Sequence, residues 1–117
     1  MTQEAKSVTI NIAKDFSFTP GFRNRQQGSF SGEEFREKFL EKNIEDDSIK
    51  KIIVDFDGTA GFATSFLEEA FGGLVRKYGY ENVCSKLEFV SIEDDVILRD
   101  VEQYMKEADT DLKQKAK

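Results

Sequence analysis

The chain has 117 residues, enough for one domain, with 11 phenylalanines, no tryptophan, and 23 acidic against 17 basic residues for a formal charge of -6. Histidine is absent, which removes Ser-His and Cys-His nucleophile pairs, His-based acid–base catalysis and the usual zinc and iron sites. The acidic balance argues against a nucleic-acid partner, no apolar run is long enough to span a membrane, and the single Cys84 fits a reducing, cytoplasmic setting with its thiol buried.

Met1–Ser7 is polar, so no signal peptide is expected. Val8, Ile10 and Ile12 alternate with Thr9 and Asn11, the pattern of a half-buried strand. From Asp15 to Gly28 no period holds, and Pro20-Gly21 marks a turn. Ser31-Gly32-Glu33-Glu34 has capping-box spacing and opens a helix carrying Phe35, Phe39 and Leu40 at helical intervals. Asn43 to Asp47 is a polar link. Ile52-Ile53-Val54 with Phe56 is a nearly continuous apolar run, as in a strand covered on both faces, and Gly58 and Gly61 break it.

A broad stripe of Phe66, Leu67, Ala70, Phe71, Leu74, Val75 and Tyr78 predicts a helix from about Thr64 to Lys77. Within it each of Gly72 and Gly73 costs roughly 1 kcal/mol relative to alanine, so the pair either permits close packing on the sheet or is merely tolerated. Leu87 and Phe89, with Val90 and Ile92, supply a third strand. Ser91 or Glu93 then leads into a last helix with Ile97, Val101, Tyr104, Met105 and Ala108 inward, and a charged, frayed tail follows. This order predicts a single α/β domain over 1–117, with its core at about 8–108 and its tail at 109–117. Its architecture is a small, mainly parallel sheet flanked by about three helices. No internal repeat is present.

Three places could carry chemistry. Asp55-Phe56-Asp57-Gly58-Thr59 follows an apolar strand and resembles the D-x-D-G-T signature of haloacid dehalogenase-like phosphatases. That resemblance implies Asp55 as nucleophile, Asp57 as general acid and a bridging Mg²⁺. Yet the string sits mid-chain, no lysine is clearly placed to neutralise a phosphoryl group, and Asp94 and Asp95 suit a helix start. A strand-end turn is therefore preferred, with the phosphatase kept as the alternative. Second, Ser65 and Glu68 have capping-box spacing, and a phosphate on Ser65 would meet a helix N-terminus; capping is the preferred role. Third, Arg23 and Arg25 in the Gly21–Gly28 loop could receive an anion or an acidic partner, against the alternative of a solvated loop.

The segment from Ile52-Ile53-Val54-Asp55 through Thr64-Ser65-Phe66-Leu67-Glu68-Glu69 resembles STAS-like domains, relatives of bacterial anti-sigma factor antagonists. Pro20-Gly21-Phe22-Arg23, Ser31-Gly32-Glu33-Glu34 and Thr64-Ser65-Phe66 stand where a STAS-like family of unknown function carries its loop and helix openings. The resemblance covers about Val8 to Ala108 and implies a regulatory domain that binds a protein partner around the start of the second helix. Antagonists of this kind bind a GHKL-type serine kinase, and Ser65, beside Thr64, would be the phosphoacceptor. Ala63 and Phe66 replace the Asp and Gly of the acceptor motif, so partner binding transfers more directly than the switch. The expectation is thus a non-enzymatic interaction domain without cofactor or metal. Its contact surface is Gly58, Thr59, Gly61, Phe62, Ser65 and Glu68, joined by Arg23 and Arg25, with the oligomeric state left open.

Overall fold

The computed structural model describes residues 6–115; the polar opening through Ala5 and the last two tail positions, Ala116 and Lys117, lie outside the described residues. Alternating apolar positions form β1 (Lys6–Asn11), which pairs in parallel with β2 (Ile49–Asp55), and β2 pairs in parallel with β3 (Leu87–Val90). Val8 and Ile10 stand opposite Ile52 and Val54, which in turn face Leu87 and Phe89. An extra residue in β2, Lys50, shifts the register and lets both Ile49 and Ile52 point into the core.

Five helices accompany these strands among the described residues. A single turn, α1 (Ile12–Asp15), follows β1. Helix α2 covers 32–45, with Gly32–Phe35 and Lys42–Glu45 joined by a π-helical stretch, Arg36–Glu41. Helix α3 covers 64–78 in the same manner, with π-helical Glu68–Gly72 between Thr64–Leu67 and Gly73–Tyr78. Then come α4 (Tyr80–Lys86) and α5 (Val96–Lys115). The small parallel sheet and three long helices agree with the α/β expectation, and α1 and α4 are additional. Among the described residues no helix is long and apolar enough to cross a membrane.

The core is aromatic. Phe35, Phe56, Phe66 and Phe71 are buried, and Phe16 packs edge-on against Phe35 and Phe39. Each fully buried phenylalanine contributes on the order of 1.5–3 kcal/mol. Helices α2 and α3 meet at Gly32, where a Cβ would lie 2.6 Å from the Phe66 carbonyl oxygen. Ser31 caps α2, its hydroxyl accepting the Glu34 N–H at 3.1 Å.

Several expectations change. Strand β2 is not covered on both faces: Ile52 and Val54 are buried, whereas Ile53 is half-buried and Lys51 pairs with Glu88 on the other side at 2.8 Å. Strands taken in the order β1-β2-β3 with right-handed crossovers put their connecting helices on one face. Ile12 leaves the strand because the Asn11 side chain accepts the Lys14 N–H at 2.9 Å and starts α1, although Ile12 stays buried. Ile92 is not in β3; it is 88% exposed in the following loop. Cys84 is exposed on α4 instead of buried, because the inward position of that short helix belongs to Val83. The expected frayed tail is helical through Lys115, with Asp109 and Leu112 half-buried.

Candidate functional site

Three parallel strands send their following segments out from one edge of the sheet, where an α/β fold builds its sites. Beyond β2, Phe56 is anchored by its N–H to the Val90 carbonyl at 2.9 Å. Asp55 Oδ1 accepts the Asp57 N–H at 2.9 Å, closing the turn. The Asp57 carboxylate reaches across to the segment after β3. It accepts the Ile92 N–H at 3.0 Å and the Glu93 N–H at 2.9 Å. Gly58, at φ +97°, returns its N–H to Glu93 Oε1 at 2.6 Å, and Asn11 at the end of β1 donates Nδ2–H to the Asp57 carbonyl at 3.1 Å. One aspartate thus ties together all three strand ends.

The N–H groups of Glu93 and Ile92 hold the Asp57 carboxyl below the usual carboxylate range. A general acid must carry a proton to deliver, so these bonds favour the form the phosphatase alternative does not need. Among the described residues no group of three or more Asp, Glu, Cys or His side chains is arranged to hold a metal ion. The recess at this edge, lined by Phe56, Asp57, Gly58, Ser91, Glu93 and Ile97, measures about 160 Å³. Ligand pockets typically run about 300–1,000 Å³.

The next segment is more open. Gly58, Ala60, Gly61 and Thr64 are exposed, and Thr59, Phe62 and Ser65 are half-buried. Phe62 lays its ring edge-on to Phe56, centroids 5.5 Å apart, and also meets Phe66. Ala60 donates its N–H to the Phe18 carbonyl at 2.9 Å, docking this loop against the long segment after α1. Ser65 does not cap α3, contrary to expectation. The extended N-cap residue is Ala63, which has no side-chain acceptor, and Ser65 falls inside the first turn. Glu68 does not reach back either, because its carboxylate is engaged elsewhere.

That engagement is an ion network between α2, α3 and the loop before α2. Arg23 pairs with Glu68 at 2.6 Å and with Glu69 at 3.4 Å, and Arg76 pairs with Glu68 at 2.6 Å. Arg36 pairs with Glu69, with the Glu69 carbonyl at 2.9 Å and with Glu41 at 2.8 Å; Lys77 completes the chain to Glu41 at 2.6 Å. Burial pushes the Glu41 and Glu68 carboxyls up. The bonds from Lys77 and Arg36, and from Arg76 and Arg23, more than offset it and leave both below the usual range. The glycine pair makes room for these side chains and not for the sheet: a Cβ on Gly73 would collide with the Arg36 guanidinium, and one on Gly72 with the Glu68 carboxylate.

The two regions singled out in the sequence therefore meet, joined by Arg23–Glu68. Neither arginine stands as an unpaired cation in a solvated loop, since Arg25 pairs with Glu37 at 2.7 Å. Exposed Phe18, Phe22, Phe30, Ile92 and Val96 were not singled out as contact residues. The only local signal was apolar residues inside stretches without period or beside the acidic run Glu93-Asp94-Asp95.

Residues 31–96, from the cap of α2 to the first residue of α5, match the family described as STAS-like domain of unknown function (DUF4325). The chain belongs to this STAS-like family. No curated protein and no solved structure matches it. The STAS-like segment includes α2, β2, α3, α4 and β3, hence the whole 58–69 region, the network on α2 and α3, and Ile92; Phe18, Phe22 and Arg23 precede it.

Proposed function

We propose that this STAS-like domain is a regulatory interaction module that holds a protein partner across the 58–69 loop and helix start. The observation that carries this reading is where the large exposed apolar side chains lie. Among the described residues Phe18, Phe22, Phe30, Ile92 and Val96 all belong to segments around the edge from which that loop leaves. Large apolar side chains left exposed on the segments beside that loop favour an interaction role, and the small recess favours surface docking over enclosure of a small molecule. Gly58 and Gly61, at φ +97° and +143°, expose bare backbone to such a partner.

The finer proposal is a kinase-like or other regulatory partner in the cytoplasm, with Ser65 or Thr64 as phosphoacceptor. A phosphate there adds about -1.5 to -2 charges one helical turn from Glu68 and Glu69, where Arg23 already sits. The domain acts by binding and not by catalysis, with Asp55 and Asp57 shaping the loop. Affinity capture from native extract, read by mass spectrometry, tests this with wild type, Thr64→Arg and Ser65→Glu. Thr64 is exposed, so Thr64→Arg leaves the core untouched and is expected to lose the partner. A partner held equally by wild type and Thr64→Arg would move the contact surface elsewhere. Equal capture by Ser65→Glu would remove the switch and leave the binding module.

A further inference from the structure

Strand β3 ends the sheet, with β2 on one side and no strand on the other among the described residues. The Val90 carbonyl accepts the Phe56 N–H at 2.9 Å, so Val90 turns its backbone groups toward β2. These groups alternate in direction along an extended strand, and Phe89 therefore turns its N–H and carbonyl outward, where neither meets a partner among the described residues. The Leu87 N–H is already bonded to the Val83 carbonyl at the end of α4.

A groove of about 380 Å³ runs along this rim. Leu87, Glu88 and Phe89 all line it, although neighbouring side chains in a strand point to opposite faces. A hollow reached by all three follows the edge of the strand and not one of its faces. Its walls are Tyr80 and Cys84, one turn apart on α4, and Leu98, Glu102 and Met105 on one stripe of α5. Topology explains the opening. Helices α2 and α3 each lead into the next strand of the sheet, but no strand follows α5 among the described residues. Helix α5 packs chiefly on α3, and the place beside β3 where a fourth strand would lie is open.

Phe89 can be satisfied only by a chain with free backbone groups, and a helix has its own bonded internally. The charged lining of the groove is acidic, Glu88 and Glu102. Their lysine partners, Lys51 at 2.8 Å and Lys106 at 2.9 Å, form exposed, weakly held pairs that an incoming cation can replace. A second copy would instead bring the same carboxylates and a net charge of -6 against them.

We infer that the edge of β3 is a second docking surface, which takes an extended segment of a partner protein as an added strand. Apolar side chains at alternate positions of that segment enter the groove between α4 and α5, and lysine or arginine between them faces Glu88. No residue of the 58–69 region lines this groove, so the inference is independent of the reading above.

The probe is a capped hexapeptide of alternating valine and lysine. It is titrated into isotope-labelled full chain beside a valine–glutamate twin and a twin N-methylated at every interior amide. Cys84, the one cysteine of the sequence, is exposed on the groove wall and reports occupancy through its alkylation rate. The valine–lysine peptide alone is expected to bind, shifting the 87–90 amides, slowing Cys84 alkylation and slowing Phe89 N–H exchange about tenfold. Cys84→Arg, which fills the groove and adds a cation to it, should weaken binding about tenfold, whereas Thr64→Arg should leave it unchanged. Because Cys84 faces solvent, an unchanged amide spectrum away from 80–90 verifies that Cys84→Arg is folded. Equal binding of the N-methylated twin would show the groove filled without strand pairing and overturn the inference. Absence of binding, equal binding of the glutamate twin, shifts confined to the 58–69 loop, unhindered alkylation or indifference to Cys84→Arg would each overturn it as well. A Phe89 N–H protected without peptide, and losing that protection on dilution, would assign the edge to a second copy instead. A native partner lost from Thr64→Arg while no peptide binds would sink this inference and leave the interaction reading intact.

Discussion

At Gly32 and Gly73 a missing methyl group sets how closely α2 and α3 approach, but the two glycines face different neighbours. A Cβ on Gly32 would press on backbone, the Phe66 carbonyl oxygen 2.6 Å away, and neither helix can yield locally. Gly32→Ala is therefore expected to cost on the order of 1–3 kcal/mol, as overpacking does, read from urea unfolding. A Cβ on Gly73 would meet the far end of the Arg36 side chain, which can swing away, and alanine returns up to about 1 kcal/mol of helix propensity. Gly73→Ala should therefore lie within about 1 kcal/mol of wild type, the guanidinium shifting while it keeps Glu41 and Glu69, and a loss as large as that of Gly32→Ala would refute the distinction. Sequence spacing alone could not assign such roles. Ser65 and Glu68 have the separation of a capping box, yet Ala63 holds the cap position and Glu68 is drawn away by Arg23 and Arg76. Cys84 was equally illegible, since α4 is too short for a period to show which side faces in.

Helices α2 and α3 both widen into π-helical turns where they exchange charges, and this contact decides how the two elements hold together. Arg36 is largely shielded, with 14% of its side chain exposed, and its partners Glu41 and Glu69 are at 10% and 20%. Removing one member of such a set leaves the others charged and poorly hydrated, so Arg36→Ala should cost about 3 kcal/mol in unfolding free energy. A double-mutant cycle with Glu69→Ala should recover part of that loss; strict additivity would mean that the pair is not coupled. Glu41 and Glu68, with folded pKa values below the usual range, bind protons less readily folded than unfolded. Their contribution is complete above the unfolded pKa of about 4.3 and is lost as pH falls through the lower folded values. Stability should thus decline with acid below about pH 4.3, and Glu68→Gln should flatten that decline in unfolding curves taken across the window. The elements themselves were legible: the Phe66-to-Tyr78 stripe marks α3, and Val8 and Ile10 mark β1. The charge contact was not, because Arg36 and Glu69 are 33 residues apart and nothing local pairs them.

The whole molecule places its polarity unevenly. One face of the sheet lies under the helices, the other carries the Lys51–Glu88 pair, and the segments that follow β1 and β3 carry exposed Phe18, Phe22, Phe30, Ile92 and Val96. At neutral pH a net charge of -6 opposes association of copies through those side chains. Near the sequence pI of about 4.8 this repulsion vanishes, while the acid-sensitive network on α2 and α3 remains mostly ionised. Apolar association should therefore appear before acid unfolding does. Light scattering is expected to rise as pH approaches 4.8 while far- and near-ultraviolet circular dichroism stay native. Phe18→Ser combined with Ile92→Ser should suppress the scattering without moving the unfolding midpoint, because both side chains already face solvent. Were scattering to follow the loss of near-ultraviolet signal instead, association would come from unfolded chain and not from those side chains. If it occurred equally in the double variant, the native contact would belong to another surface, such as the face of the sheet that carries half-buried Ile53 and the Lys51–Glu88 pair.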